Sequence, residues 1–260
     1  MNNDTKVCVF VGSSAKSGAI LHYTYPNIKQ FAKRLGVDLV LGTNSEAVCA
    51  GFHFNQIFKS DDLGSWGNEL ALQLTMCKKY YTHILFILDD MWIDDLNVNE
   101  IAKLIHNDEL AEVDHLLLRP HDEALIKSFV RNLSVRFLKV NKRKISGKNP
   151  YCKSLKPAVW LISHFLECLL NEADIWRFET TPHKIVSMEV TSSLFAEYHL
   201  VEKGLLRTDV MNLLNIKVDT NNQMDENKKS KYNYLMRRVK FKLFGYVSFR
   251  LKNVTKDLIN

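Results

Sequence analysis

Apolar positions change period several times along the chain, and each change marks an element. Lys6–Gly12 (KVCVFVG) is a short apolar, β-rich run ending in Gly-Ser-Ser, which predicts a buried strand entering a loop. Across Tyr25–Leu35 the apolar residues Ile28, Phe31, Ala32 and Leu35 fall at helical spacing and stop at Gly36, a helix C-terminal signal. Val37–Leu41 then predicts a second strand, ending in Gly42-Thr43-Asn44. Strand, helix, strand is the opening of a parallel α/β sheet. Gly67–Tyr80 predicts a further helix. His83–Leu88 (HILFIL) is apolar throughout, as a strand buried on both faces requires. Val98–Ile105 and Glu109–Val113 read as helix, His115–Leu118 as strand, Ala158–Leu170 as helix, Lys184–Val190 as strand and Phe195–Lys203 as helix. Residues 219–230 are polar and read as a linker, which divides the chain into a domain over 1–218 and an extension over 219–260.

Composition adds little until charge is located. Hydrophobic residues make up 46% and charged residues 25%, an ordinary globular balance. The net charge is +6, yet ten of the Lys and Arg lie in residues 228–256 beside no Asp or Glu. That segment alone exceeds the total, so the remainder is net acidic. A basic-protein argument applies only to the tail and to the loop over 139–156, which holds seven basic residues. The N-terminus lacks a basic segment followed by a long apolar one, and no run reaches the ~18 apolar residues of a membrane span. Five cysteines without a C-x-x-C pair argue against a disulfide framework or a structural zinc site. A cytoplasmic location is the expectation.

The chemistry gathers after the apolar run. In open parallel sheets, ligands bind beyond the carboxyl ends of the strands, and Asp89-Asp90 stands at such an end. Adjacent carboxylates there suit a hard divalent cation, Mg or Mn, that takes further oxygens from water and substrate phosphates. Such a metal neutralises charge developing on a departing diphosphate. Asp90, one residue further out, is the expected metal ligand, and Asp89 the expected ribose contact or orienting group. The bland alternative is helix capping, which Asp94-Asp95 nearby also invites. Ser13 and Ser14 after the first strand and Asn44 after the second are candidates for binding the nucleotide, against ordinary turn chemistry. Arg119 ends a strand on the same side and offers a fork donor for a diphosphate, against a surface salt bridge. The nine histidines show no metal-ligand spacing.

Several segments resemble a group of bacterial GT-A-type glycosyltransferases of polysaccharide and lipopolysaccharide synthesis. Ser65-Trp66-Gly67-Asn68-Glu69-Leu70 resembles S-W-G-x-x-L. HILFILDDMWI over His83–Ile93 resembles Y-V-L-F-L-x-D-D-F-W-L. Leu116–Pro120 (LLLRP) is similar to the strand that follows. SLKPAVW over Ser154–Trp160 resembles S-L-Q-P-A-I-W, WRFE over Trp176–Glu179 matches W-x-F-E, and Tyr198–Gly204 is similar to Y-x-x-x-V-x-x-G. The pieces occur in order and span roughly residues 7–207. Lys156 stands where the group has Gln, Leu205-Leu206 where it has Lys-Trp, and the acidic pair is adjacent rather than spaced.

The resemblance implies a GT-A-like fold: a Rossmann-type, mainly parallel sheet flanked by helices, here with a basic C-terminal extension. It implies an enzyme that moves a sugar from a nucleotide-sugar donor to a saccharide or lipid-linked acceptor, metal-dependent and inverting. It also makes Glu179 the base that deprotonates the acceptor, in an apolar setting that would raise its pKa. Without the resemblance, Trp-x-Phe reads as core and Glu179 as a surface residue. The tail, interleaving cations with aromatics as a helix or a hairpin, suits an anionic membrane surface, or else packs on the domain. Two other functions compete. A nucleic-acid-binding protein would use the basic segments, but no standard motif for it appears. A metal-dependent phosphotransferase or hydrolase would use the same carboxylates.

Overall fold

The computed structural model describes residues 5–15, 17–95, 97–107, 110, 113–118, 142–144, 153–181, 186–190, 194–202 and 205–217. The expected helix at Glu109–Val113 falls largely outside them. So do Arg119, most of the 139–156 loop and the whole extension over 219–260.

Four strands form the parallel half of the sheet: β1 (Val7–Gly12), β2 (Asp38–Thr43), β3 (Gln56–Lys59) and β4 (His83–Leu88). Their order is β3-β2-β1-β4, every neighbour parallel. The sheet continues through β8 (Ala158–Leu161), β6 (His115–Leu117), β9 (Ser187–Val190) and β7 (Lys142–Lys144). In this half β8 runs antiparallel to both β4 and β6, and β6 is parallel to β9. β5 (Met91–Asp95) pairs antiparallel with β10 (Phe195–His199), off the main sheet. A short hairpin, β11 (Val201–Glu202) with β12 (Leu205–Leu206), follows.

The period-2 alternation of β1 and β4 sorts their side chains into two cores. Val7, Val9, Val11, Leu85 and Ile87 meet α1 (Leu21–Leu35) and α4 (Val98–Ile105) on one face. Cys8, Phe10, Ile84 and Phe86 meet α3 (Trp66–Cys77) and α5 (Ile162–Asn171) on the other. The short α2 (Glu46–Ala50) and α6 (Ile175–Phe178) complete the helical cover before the last helix, α7 (Thr208–Leu213). The fold is therefore α/β, with a mixed sheet between helical layers. α1 ends where Gly36 adopts φ 70°, a left-handed turn that glycine takes without a Cβ penalty.

Several local expectations are corrected. Ala158–Leu161 is a buried strand rather than the first turn of a helix, which begins only at Ile162. Its place between β4 and β6 makes strand pairing decisive over helical periodicity. Phe195–His199 is a strand, because β5 lies open to pair with it. Asp94 and Asp95 belong to β5; the N-cap of α4 is Asn97, whose side chain accepts from Glu100 N at 3.3 Å. α1 starts four residues earlier than the apolar pattern suggests, at Leu21, and carries Pro26 inside it.

Candidate functional site

From β1 the chain turns to β2 and β3 on one side, while β4 lies on the other. The loops leaving β1 and β4 thus diverge, and a crevice opens between them at the switch in strand order. A cavity of about 240 Å³ lies there. Ser13, Ser14 and Ser17 line it from the β1 side, Asp89 and Asp90 from β4, Trp66, Glu69, Leu70 and Gln73 from α3, and Val201 from the β11 hairpin.

The two aspartates have different surroundings. Asp89 is buried, and its Oδ2 accepts from both Ser13 Oγ and Ser17 Oγ at 2.6 Å. Its backbone is fixed as well: the N–H donates to Gly12 O at 3.1 Å, and the carbonyl accepts from Thr24 Oγ1 at 2.5 Å. Burial raises its pKa from 3.8 to about 6, with Asp90 adding to the rise and the two serines opposing it. Asp90 is anchored from the C-terminal side. His199 Nδ1 lies 3.0 Å from its Oδ2, and Leu200 N donates to its carbonyl at 2.8 Å. The other oxygen, Oδ1, is buried and has no hydrogen-bond partner among the described residues.

That leftover oxygen is what a cation would need, since a buried acceptor without a partner is costly. No group of three or more His, Cys, Asp and Glu side chains able to hold a metal occurs among the described residues. The residues therefore fit a metal bound through Asp90 that draws its other ligands from substrate phosphates and water, as magnesium does in phosphate sites. They do not fit an all-protein cage.

The remaining candidates fall in two places. Ser14 lies on the cavity wall, its Oγ 3.0 Å from Ser17 Oγ. Asn44 is turned into the protein: its Oδ1 accepts from Ala15 N and its Nδ2 donates to Glu69 Oε2, both at 2.9 Å. It braces the β1 loop against α3. Glu69 spends its other oxygen on Leu63 N at 2.9 Å.

Glu179 follows α6, outside the cavity wall. Its Oε1 accepts from Ser154 Oγ and from Leu155 N, both at 2.7 Å. This ties WRFE to SLKPAVW through residues 24 and 25 positions apart. Phe178 packs beside Trp160 and Phe165, and its ring stands edge-on to Trp66 with centroids 6.4 Å apart. The Lys153 ammonium sits 4.4 Å above the Phe178 ring. One aromatic contact therefore separates Glu179's helix from the cavity wall.

Sequence reasoning missed Ser17, Gln73 and His199. Trp66, Leu70 and Gln73 follow helical spacing, so one face of α3 was readable as a wall. Apolar–polar alternation over Ala196–His199 was the available signal for a strand that presents His199. A small core of Ile20, Tyr198, Leu200, Leu206 and Met211 seats this strand against the turn after Ser17. Buried Arg207 braces it through a bidentate contact to Asp209 and a third bond to Glu202.

No protein-family model matches the chain, and no curated protein does. Among solved structures, S. aureus TarS is similar at TM-score 0.40 and 13% identity, over 61% of this chain and 29% of that one. A crystal structure of S. aureus TarS 1-349 is similar at TM-score 0.46 and 13% identity, over 98% of this chain and 77% of that one. The chain thus spans less than a third of the length of the first.

Proposed function

We propose that the protein is a nucleotide-sugar-dependent glycosyltransferase. The observation that carries this reading is the Asp89–Asp90 pair at the switch-point cavity, with the buried Asp90 Oδ1 that has no partner among the described residues. The donor's diphosphate belongs beside the two aspartates. Bare carboxylates repel it, so the reading includes a divalent cation, Mg or Mn, held by Asp90 and by the phosphates. When bound, the cation supplies charge neutralisation for the leaving diphosphate. Asp89, tied to Ser13 and Ser17, sets the turn that carries Asp90. His199 fixes the Asp90 carboxylate from the other side.

In the transfer, the acceptor hydroxyl oxygen bonds to the anomeric carbon as the bond from that carbon to the diphosphate oxygen breaks. The hydroxyl proton passes to a base. We assign that role to Glu179, through Oε2, since Oε1 is held by Ser154 and Leu155. Attack opposite the leaving group inverts the anomeric centre. The acceptor is a saccharide or a lipid-linked saccharide. The ten cations of 228–256, beside an otherwise acidic chain, favour an anionic membrane surface as the meeting place, each contributing about 1 kcal/mol there. No helix among the described residues is long and apolar enough to cross a membrane.

The test is a thermal-shift screen of nucleotide sugars with and without manganese, followed by product analysis of the stabilising donor. A ligand that binds only the folded state raises the melting temperature. Stabilisation by one nucleotide sugar that requires the metal supports the reading. Phosphate release without sugar transfer would move the protein to the hydrolases.

A further inference from the structure

The cavity wall opposite the serines is made by one face of α3, and its chemistry differs from the rest of the site. Trp66, Leu70 and Gln73 recur at helical spacing and all line the cavity. Trp66 is the only aromatic side chain among the described cavity-lining residues. The β1 loop across from it, Ser13-Ser14-Ala15, carries hydroxyls and a methyl but no ring. Trp66 is half-buried and held edge-on by Phe178, so its orientation is set before anything binds.

Gln73 is buried, and its Nε2 donates to Ser60 Oγ at 2.9 Å. That bond fixes which way the amide lies and directs Oε1 away from Ser60. Oε1 lies toward β2 at the inner end of the wall, where a Cβ on Gly42 would come within 2.6 Å of it. This wall of the cavity thus offers a flat indole, an apolar Leu70 and, at its inner end, one oriented carbonyl acceptor. A planar heterocycle bearing a ring N–H matches each of these features; a sugar ring or a phosphate matches none of them as well.

We propose that this face of α3 is the nucleobase subsite of the donor, with Trp66 stacking on the base and Gln73 Oε1 accepting from its N–H. The inference rests on the glycosyltransferase reading and moves base recognition from the serine loop to α3. It leaves Ser13, Ser14 and Ser17 to the ribose and phosphate side, next to Asp89 and Asp90.

The experiment measures binding by the full chain, in magnesium, of four nucleoside diphosphates (UDP, CDP, ADP and GDP) and of pyrophosphate, which has no base. The proteins are wild type, Trp66→Phe, Trp66→Leu and Gln73→Met. Calorimetry gives affinities, and tryptophan fluorescence reports contact with the indole. In wild type, the preferred diphosphate should quench fluorescence and bind more tightly than pyrophosphate. Trp66→Leu should weaken that diphosphate about 10-fold, as expected for loss of one base–aromatic stack, while pyrophosphate affinity stays put. Trp66→Phe should retain most of the affinity. Gln73→Met should flatten the preference among bases. The subsite is overturned if Trp66→Leu and Gln73→Met bind every diphosphate as wild type does. It is also overturned if they lose diphosphate and pyrophosphate in equal measure. If wild type binds pyrophosphate but no diphosphate more tightly, the base is read nowhere and the subsite falls alone. If wild type binds none of the five, the glycosyltransferase reading falls and takes the subsite with it.

Discussion

At the mouth of β1 and β4, two adjacent carboxylates face a cavity, and one of their oxygens has no partner among the described residues. Behind Trp66, the Glu179 carboxylate gives one oxygen to two donors and holds two chain segments together. Both sites place carboxylates directly after large apolar residues, Leu88 in one and Phe178 in the other. Their surroundings differ in what is left to do. A carboxylate whose bonds are all internal is a fastener. One that keeps a buried oxygen in reserve is placed for something from outside. Glu179 has features of both, since only Oε1 is committed.

The largest effect should come from the reserve oxygen. Asp90→Asn should reduce sugar transfer to background and remove metal-dependent nucleotide binding, with the melting temperature near that of wild type. The anchors of residue 90 are the backbone bond to Leu200 and the contact with His199, and an amide can keep both. Near-wild-type transfer by Asp90→Asn with magnesium or manganese would dissolve the contrast between the two carboxylate settings.

Glu179→Gln separates fastener from base. If the residue is the base, turnover falls by about 10²–10⁴-fold while donor affinity holds. The amide can be oriented so that its oxygen still accepts from Ser154 and Leu155, so the melting temperature should change little. Ser154→Ala supplies the converse: it removes one bond to Oε1 and should lower stability by about 1 kcal/mol. A Glu179→Gln variant that melts early yet turns over normally would make the residue structural and nothing more.

The architecture was more legible than the site. A strand-length, β-rich apolar run bounded by turn residues, such as HILFIL, favours burial on both faces of a sheet, and β1, β2 and β4 follow from that. Gly36 ends α1 for a reason readable in one letter. Ala158–Leu161 and Phe195–His199 were misread as helix because their strand state depends on partners distant in sequence, β4 with β6 and β5. The same non-locality hid much of the site. Ser17 matters because of Asp89, 72 residues away, and His199 because of Asp90, 109 residues away. Asn44 could be seen as a polar residue at a strand end, but not that Ala15 and Glu69 would take its amide.

Asp89 gives a smaller and pH-dependent effect. Its carboxyl titrates near 6 in the folded chain against 3.8 for the free group. Between those values the folded state holds a proton that the unfolded state has lost. The stabilisation is complete below pH 3.8 and is lost as pH rises through 6. Roughly two pKa units amount to about 3 kcal/mol. Asp89→Asn, neutral at every pH, should match wild type near pH 4 and melt higher at pH 8. An equal difference at the two values, measured by calorimetry, would remove burial of the charge as the cause.

The smallest expected effect asks whether the two regions are mechanically joined. Trp66 touches both: it lines the cavity and stands against Phe178, next to Glu179. Its neighbour Gly67 sets that distance. A Cβ there would lie 2.3 Å from the carbonyl oxygen and 2.6 Å from the Cα of Ala173, so the start of α3 comes within backbone contact of the loop entering α6. Backbone atoms cannot swing aside as a side chain can. Gly67→Ala should therefore push α3 and α6 apart and cost about 1–3 kcal/mol, as overpacking does. If the regions act as one unit, the shift should also reach Trp66 and alter its fluorescence, with a several-fold loss in donor affinity and an unchanged ionic-strength dependence. Gly51→Ala is the control, because a Cβ there meets nothing nearer than 3.9 Å. A Gly67→Ala protein that is destabilised but binds donor as wild type does would mean that the cavity and the Glu179 junction share a wall without sharing a geometry.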